Sequence, residues 1–248
     1  MTSKAYTTVV PLTAGRTYTF KVEARNNVGY SISSTGLAVL AAQIPDTPVA
    51  PTTAVSSSNV VISWTLPGDG STPITGYKVE IRHSDNVSFS TEPNDCNMQA
   101  STLLTCSVPI STLLTSPFSL LWGSSIYARV SAINIVGTSM TSASGNGAII
   151  LTNPSPPTSL ANVASITSKS QIGLIWNTVT FSGGTPVIDY QLTYSIDAGA
   201  YSVLASGLLL TSFTANGLTA GSTYNFKVQA RNSFGLSIYS NVVSILAA

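Results

Sequence analysis

Apolar and polar residues alternate with period two in short runs along this chain, and helical periodicity is sustained nowhere. In the run from Tyr18, the residues Tyr18, Phe20, Val22 and Ala24 share one side of an extended chain. Thr19, Lys21, Glu23 and Arg25 take the other, because successive side chains of a strand point to opposite faces. A shorter alternating run ends in tryptophan twice, as Val60, Ile62, Trp64 and as Ile172, Leu174, Trp176, and the inward-facing neighbours place Trp64 and Trp176 in a core. Each is followed by a turn-rich segment, Pro67-Gly68-Asp69-Gly70-Ser71-Thr72-Pro73 or Ser182-Gly183-Gly184-Thr185-Pro186, and then by a strand led by Tyr77 or Tyr190. Turn chemistry at these intervals predicts an all-β chain of β-sandwiches.

The chain also repeats itself. Residues 1–42 align with 207–248 without a gap, at a constant offset of 206, and share 20 of 42 identities, clustered between Leu12 and Ser34. Repetition on this scale points to copies of one module in series. The expected division is a partial module at 1–42, a long module at 43–152 and a shorter one at 153–248. The connections, Ala42-Gln43-Ile44-Pro45-Asp46-Thr47-Pro48 and Thr152-Asn153-Pro154-Ser155-Pro156-Pro157, carry prolines that restrict their own φ and the preceding residue, so the joints are expected to be stiff. From Trp64 to Gly137 there are 73 positions, against 59 from Trp176 to Gly235. The extra residues are expected mainly between the third and fifth strands of the long module, which gives an alternation of long and short modules.

The Trp-bearing second strand, a Gly-x-Thr-Pro loop leading to Tyr, and then Leu-Thr-Ala-Gly-x-Thr-Tyr-x-Phe-Lys-Val-x-Ala-Arg-Asn-x-x-Gly occur in this order over nearly the whole chain, which thereby resembles the fibronectin type III family. The resemblance implies tandem immunoglobulin-like β-sandwiches of two sheets each. It also implies a corner at the Tyr that opens strand F, whose hydroxyl bonds back to nearby backbone, at Tyr18 and Tyr224. The long module departs from the pattern, with Ile126 where the Tyr should be, and Trp122 is expected to pack in its stead. Residues 1–42 match only strands E to G. Such a remnant cannot bury its inner face alone, so either the segment belongs to a longer array, continuing beyond both ends, or another molecule supplies the missing strands. The Pro-Phe-x-Leu-x-Trp-Gly and Gly-Asn-Gly-Ala-Ile elements are similar to those of large repetitive surface proteins of ciliated protists.

Composition narrows the chemistry. Charged residues make up 8% of the chain, net charge is +1, and Ser and Thr supply roughly a quarter of it, so the surface is built of hydroxyls and offers no basic patch to nucleic acid. No apolar run approaches the roughly 20 residues of a membrane-spanning helix. Cys96 and Cys106 can close a small loop as a disulfide, which belongs to an oxidising compartment; the alternative is a pair of free thiols in a reducing one. Asn86-Val87-Ser88 is a glycosylation sequon that carries a glycan in a secreted protein and means nothing in a cytosolic one. The single histidine, His83, has no second His to join it in a metal site and is expected to face solvent. The acidic residues are dispersed, with no carboxylate pair, nucleophile and base, or phosphate loop. No enzyme activity, metal or cofactor is expected. Trp122 with Phe118 is read either as core or as an aromatic platform for sugar.

The leading functional reading is a structural segment of an extracellular or cell-surface multi-module protein that forms a rod, filament or layer. Its partners would be copies of itself or neighbouring modules, joined through open strand edges. Two others compete: an adhesion module that recognises a receptor or glycan through loops such as Leu66 to Thr75, and an accessory array of a secreted carbohydrate-active enzyme. No Arg-Gly-Asp triplet or Trp-Ser-x-Trp-Ser box occurs.

Overall fold

The computed structural model describes residues 4–91, 96, 99, 100 and 103–248, which form two compact units. One unit is Met1–Leu120 with Ser125–Ala148; the other is Leu121–Ser124 with Ile149–Ala248.

The first unit opens with β1 (Thr17–Phe20) and β2 (Leu37–Leu40), an antiparallel pair with Tyr18 opposite Val39. A sandwich follows, made of β3 (Thr52–Ser56), β4 (Asn59–Ser63), β5 (Ile74–Arg82), β6 (Phe89–Ser90), β7 (Gln99–Ala100), β8 (Thr105–Pro109), a short helix α1 (Ile110–Leu113) and β9 (Ala128–Asn134). Its first sheet has the order β3-β4-β8. In its second, β5 pairs with β9 along one edge and with the two short strands β6 and β7 on the other. The alternation read from the sequence is the alternation of burial: Val60, Ile62 and Trp64 of β4 and its extension are buried, as are Tyr77, Val79 and Ile81 of β5 and Ala128, Val130 and Ala132 of β9.

The second unit repeats the plan more cleanly. It contains β10 (Thr158–Asn162), β11 (Gln171–Asn177), β12 (Asp189–Ile196), β13 (Ser202–Leu208), β14 (Ser212–Asn216), β15 (Thr223–Arg231) and β16 (Val243–Leu246). The sheets have the orders β10-β11-β14 and β13-β12-β15-β16, with every pairing antiparallel. Ile172, Leu174 and Trp176 pack in one core with Tyr190, Leu192, Tyr224, Phe226, Val228 and Ala230. The Trp176 ring meets Tyr190 at 5.7 Å and 69°, as Trp64 meets Tyr77 at 5.3 Å and 59°. Each fully buried aromatic or branched side chain stabilises its sandwich by roughly 1.5–3 kcal/mol. Among the described residues both buried indole N–H groups and the Tyr77 hydroxyl have no hydrogen-bond partner.

Several expectations need correction. The extra residues of the long module do not lie mainly between the third and fifth strands. Strand register makes Tyr77 equivalent to Tyr190, Cys106 to Phe213 and Asn134 to Asn232. Tyr77 to Cys106 spans 29 positions against 23 in the shorter module, whereas Cys106 to Asn134 spans 28 against 19. The larger part therefore sits between β8 and β9, where α1 and the following loop place Leu113, Phe118 and Leu120 in the core. Trp122 does not replace the corner tyrosine. It is half-buried and clusters with the second unit, while Ile126 occupies the corner position fully buried. Phe118, with no exposed surface, forms no platform for sugar. His83 is half-buried rather than solvent-facing, its ring edge-on to Phe118 at 5.8 Å and its Nε2 in a 2.8 Å hydrogen bond with Ser90 Oγ. Finally, β1 stops at Phe20 although the matching β15 runs to Arg231; residues 224–231 pair with β12, whereas among the described residues β1 pairs with β2 alone.

Candidate functional site

The feature that recurs with the least change is a clamp where the chain enters each sandwich. In the second unit, the linker residue Thr152 donates its N–H to Gly183 O at 3.0 Å and Ser155 donates to Phe181 O at 2.9 Å. Asn232, at the end of strand F and 3% exposed, closes the arrangement. Its Nδ2 donates to Thr152 O and Ser182 O, both at 2.8 Å, and its Oδ1 accepts the N–H groups of Phe234 at 2.9 Å and Gly235 at 3.0 Å. One amide thus ties the linker, the turn after the Trp strand and its own turn together, using all four of its hydrogen-bonding positions.

The first unit has the same clamp on different residues. Gln43 donates to Gly70 O and Asp46 to Gly68 O, both at 2.9 Å. Asn134 Nδ2 donates to Gln43 O at 2.8 Å and Asp69 O at 2.9 Å, while its Oδ1 accepts from Val136 and Gly137. Glycine is required at the turn in both copies. Gly70 and Gly183 have φ of +69° and +81°, and a Cβ there would stand 2.2 Å from Gln43 O and 2.1 Å from Thr152 O. In the first copy Asn26 keeps the turn half, its Oδ1 accepting from Val28 and Gly29, and has no Nδ2 acceptor among the described residues.

A serine pair follows in every copy. The Oγ of Ser34, Ser142 and Ser240 accepts the N–H of Val22, Val130 and Val228, and the Oγ of Ser31, Ser139 and Ser237 accepts the N–H of Ala24, Ala132 and Ala230, all at 3.0 Å. These hydroxyls replace the backbone acceptors that a regular strand G would provide to strand F. The sequence signal is Asn-x-x-Gly-x-Ser-x-x-Ser in all three copies, which a reading of apolar periodicity passes over.

The corner tyrosines stand as the resemblance implies: Thr13 N–H donates to the Tyr18 hydroxyl at 2.9 Å and Thr219 N–H to that of Tyr224 at 2.8 Å. Cys96 and Cys106 are joined in a disulfide, with Cys106 on β8 in the core position that Phe213 fills in the other sandwich. Asn86 is exposed, with φ of +62°, on a tight turn after β5. Its neighbour Asp85 accepts from the Ser88 hydroxyl and from the N–H groups of Val87 and Ser88, and these bonds hold its carboxyl down to about 2. On the outer face of the same sheet, burial pushes the Glu80 carboxyl up, but hydrogen bonds from Lys78 and Arg129 at 2.9 Å outweigh it and leave the group below its ordinary value. Among the described residues no three His, Cys, Asp or Glu side chains gather. The arrangement fixes backbone; it does not activate a nucleophile.

Two antiparallel sandwiches in series, each with the same Trp, turn and Asn clamp, define a protein of tandem modules. The model of the Fibronectin type III domain matches residues 47–147 and 155–245, and the chain belongs to that family. It is similar to Fibronectin type-III domain-containing protein 3A of Mus musculus, 25% identical over 98% of this chain and 19% of that protein. It is similar also to Myomesin-2 of Homo sapiens, 29% identical over 92% of this chain and 15% of that protein. The chain therefore spans no more than about a fifth of these relatives' length. Among solved structures it resembles domains A168-A170 from titin, with a TM-score of 0.48 and 17% identity over 92% of this chain and 73% of that one.

Proposed function

We propose that this chain is a structural, non-catalytic segment of an extracellular multi-module protein, a rod, filament or surface layer in which each sandwich is a spacer. Its neighbours are further modules or copies of itself. The observation that carries the reading is the repeated clamp: Asn134 and Asn232 are the most fully bonded polar side chains of their sandwiches, and both are spent on holding the linker to the module that follows. A device of this kind fixes the backbone where the chain enters a module. Membership of a family whose similar proteins include Myomesin-2 supports a multi-module structural role. The Cys96–Cys106 disulfide and the sequon on an exposed turn support the extracellular placement.

Electron microscopy of the native material tests this. Fibres or layers are expected with an axial repeat related to one or two modules, each roughly 30–40 Å for about ten residues of strand. A monodisperse native chain of 25.7 kDa would overturn the reading. The placement has its own test: native protein should lose mass on enzymatic removal of N-linked glycan, and an Asn86→Gln variant should show no such loss.

A further inference from the structure

The dipeptide Asn-Gly occurs twice in the chain, at Asn146-Gly147 and at Asn216-Gly217. Both asparagines are exposed, yet the two steps are held differently. Asn146 O accepts the N–H of buried Thr53 on β3 at 3.4 Å, and Ala148 donates its N–H to Thr53 Oγ1 at 2.9 Å. Gly147 between them lies so close to β3 that a Cβ would stand 2.5 Å from Thr53 O. Asn216, in contrast, ends β14, the edge strand of the β10-β11-β14 sheet. Trp176 N–H donates to Thr211 O at 2.9 Å, and the alternation of an antiparallel ladder then makes Gln171 and Asn216 a non-bonded pair, so the Asn216 carbonyl points away from β11. Its Nδ2 donates to Thr214 O at 3.3 Å. Gly217 follows with φ of +72°, and a Cβ there would meet no described atom within 4 Å.

We propose that Asn216 is a site of spontaneous modification, deamidation to isoaspartate, and that the fold protects Asn146 from the same reaction. The backbone N of Gly217 attacks Cγ of Asn216. The new N–Cγ bond forms and the Cγ–Nδ2 bond breaks, the amide proton of Gly217 leaving with Nδ2 as ammonia. Water then opens the cyclic imide, at Cγ to give aspartate or at the backbone carbonyl carbon to give isoaspartate. Water is the sole co-reactant, and nothing is oxidised or reduced. The attack turns the peptide plane that joins the two residues about the asparagine ψ, and glycine hinders this least because it has no Cβ. At Asn216 that plane is not tied to β11, and Gly217 has open space around it. At Asn146 the same rotation pulls the carbonyl off the Thr53 N–H and drives Gly147 against the β3 backbone, so the reaction waits on local opening of the sheet. The isoaspartate product adds a carbon to the main chain just before Leu218, whose N–H donates to Ser170 O at 3.1 Å, and it takes the net charge of the chain from +1 to zero.

This chemistry is the same whether the native protein is a filament or a monomer, so its test is separate from that of the array. The full 248-residue chain is aged in mildly alkaline buffer, once folded and once in urea. Isoaspartate is then read by peptide mapping with mass spectrometry and by methyl transfer from a protein isoaspartyl methyltransferase. In the folded chain it is expected to form at residue 216 at least about tenfold faster than at residue 146, because only the second site needs an opening event. In urea the two rates should agree within about threefold, both sites then being Asn-Gly in an open chain. Asn216→Gln should remove the product from its own peptide and leave the Asn146 peptide as it was, with unchanged exchange of β15 amides verifying the fold. The proposal is overturned by a folded chain that forms no isoaspartate at residue 216, or that forms it at residue 146 as fast or faster. It is overturned equally by the same ratio of rates in urea as in the folded chain, since the fold would then protect neither site.

Discussion

Replacing Asn232 by alanine removes the clamp of the second unit without touching its apolar core. The side chain makes four hydrogen bonds at 2.8–3.0 Å. A typical intramolecular hydrogen bond contributes about 0.5–1.5 kcal/mol net. Thr152 and Ser182 are half-buried, so water recovers part of what their carbonyls lose, and the turn N–H groups of Phe234 and Gly235 are reached more easily still. A loss of about 3 kcal/mol follows. It corresponds to a midpoint lowered by about 12–24 °C for a sandwich of this size, and to roughly 150-fold faster exchange of β15 amides when they open by global unfolding. Asn232→Asp sharpens the argument. It keeps the Oδ1 acceptor for Phe234 and Gly235 but turns a carboxylate oxygen towards two carbonyl oxygens. At neutral pH it should therefore be less stable than the alanine variant. Because the folded state disfavours that charge, the carboxyl titrates higher folded than unfolded, so the variant should regain stability as pH falls towards the unfolded value, about 3.9. Hydrogen exchange at Tyr224 to Ala230 on the full chain, at pH 7 and pH 4, reads both effects in this unit alone. A loss below about 1 kcal/mol for Asn232→Ala, or an Asp variant as stable as the Ala variant at pH 7, would refute the clamp.

Three further outcomes are expected. Ser240→Ala leaves the buried N–H of Val228 without its acceptor and should cost about 1–3 kcal/mol, measured by urea unfolding, while Ser233→Ala on the exposed turn should cost far less. Reductant should open the ten-residue loop closed by Cys96 and Cys106 and lower the stability of the first unit by about 3 kcal/mol, with no effect on exchange from β15; equal loss in both units would contradict the assignment. Asp85, whose folded carboxyl sits near 2 against an ordinary 3.8, favours the folded turn fully above about pH 4. That contribution disappears as pH falls through the folded value, so the amide signals of Val87 and Ser88 should titrate near pH 2, and Asp85→Ala should abolish the transition.

The sequence by itself determined the class of fold, the number of sandwiches and the face each strand buries. These follow from local rules: period two assigns Tyr224, Phe226, Val228 and Ala230 to one side wherever the strand goes, and a Trp flanked by inward Ile and Leu has no stable place but a core. The repeat at offset 206 also carried the Tyr18 and Tyr224 corners, whose partners lie five residues away. What only the tertiary structure decided are matches between segments far apart in the chain. Asn232 is one more polar residue after a strand until folding brings to it Thr152, 80 residues distant, and Ser182, 50 residues distant. The aromatic that fills the long module was misjudged for a similar reason. Phe118 and Trp122 sit in one loop with similar surroundings in sequence, and the path of the chain after α1 sends the first into the core and leaves the second half-buried. His83 has no neighbour in sequence that signals burial; the ring it meets is Phe118, 35 positions along. Side-chain periodicity encodes which way a residue points; whether it meets an acceptor, a ring or water is fixed by loops whose length and course the pattern does not contain.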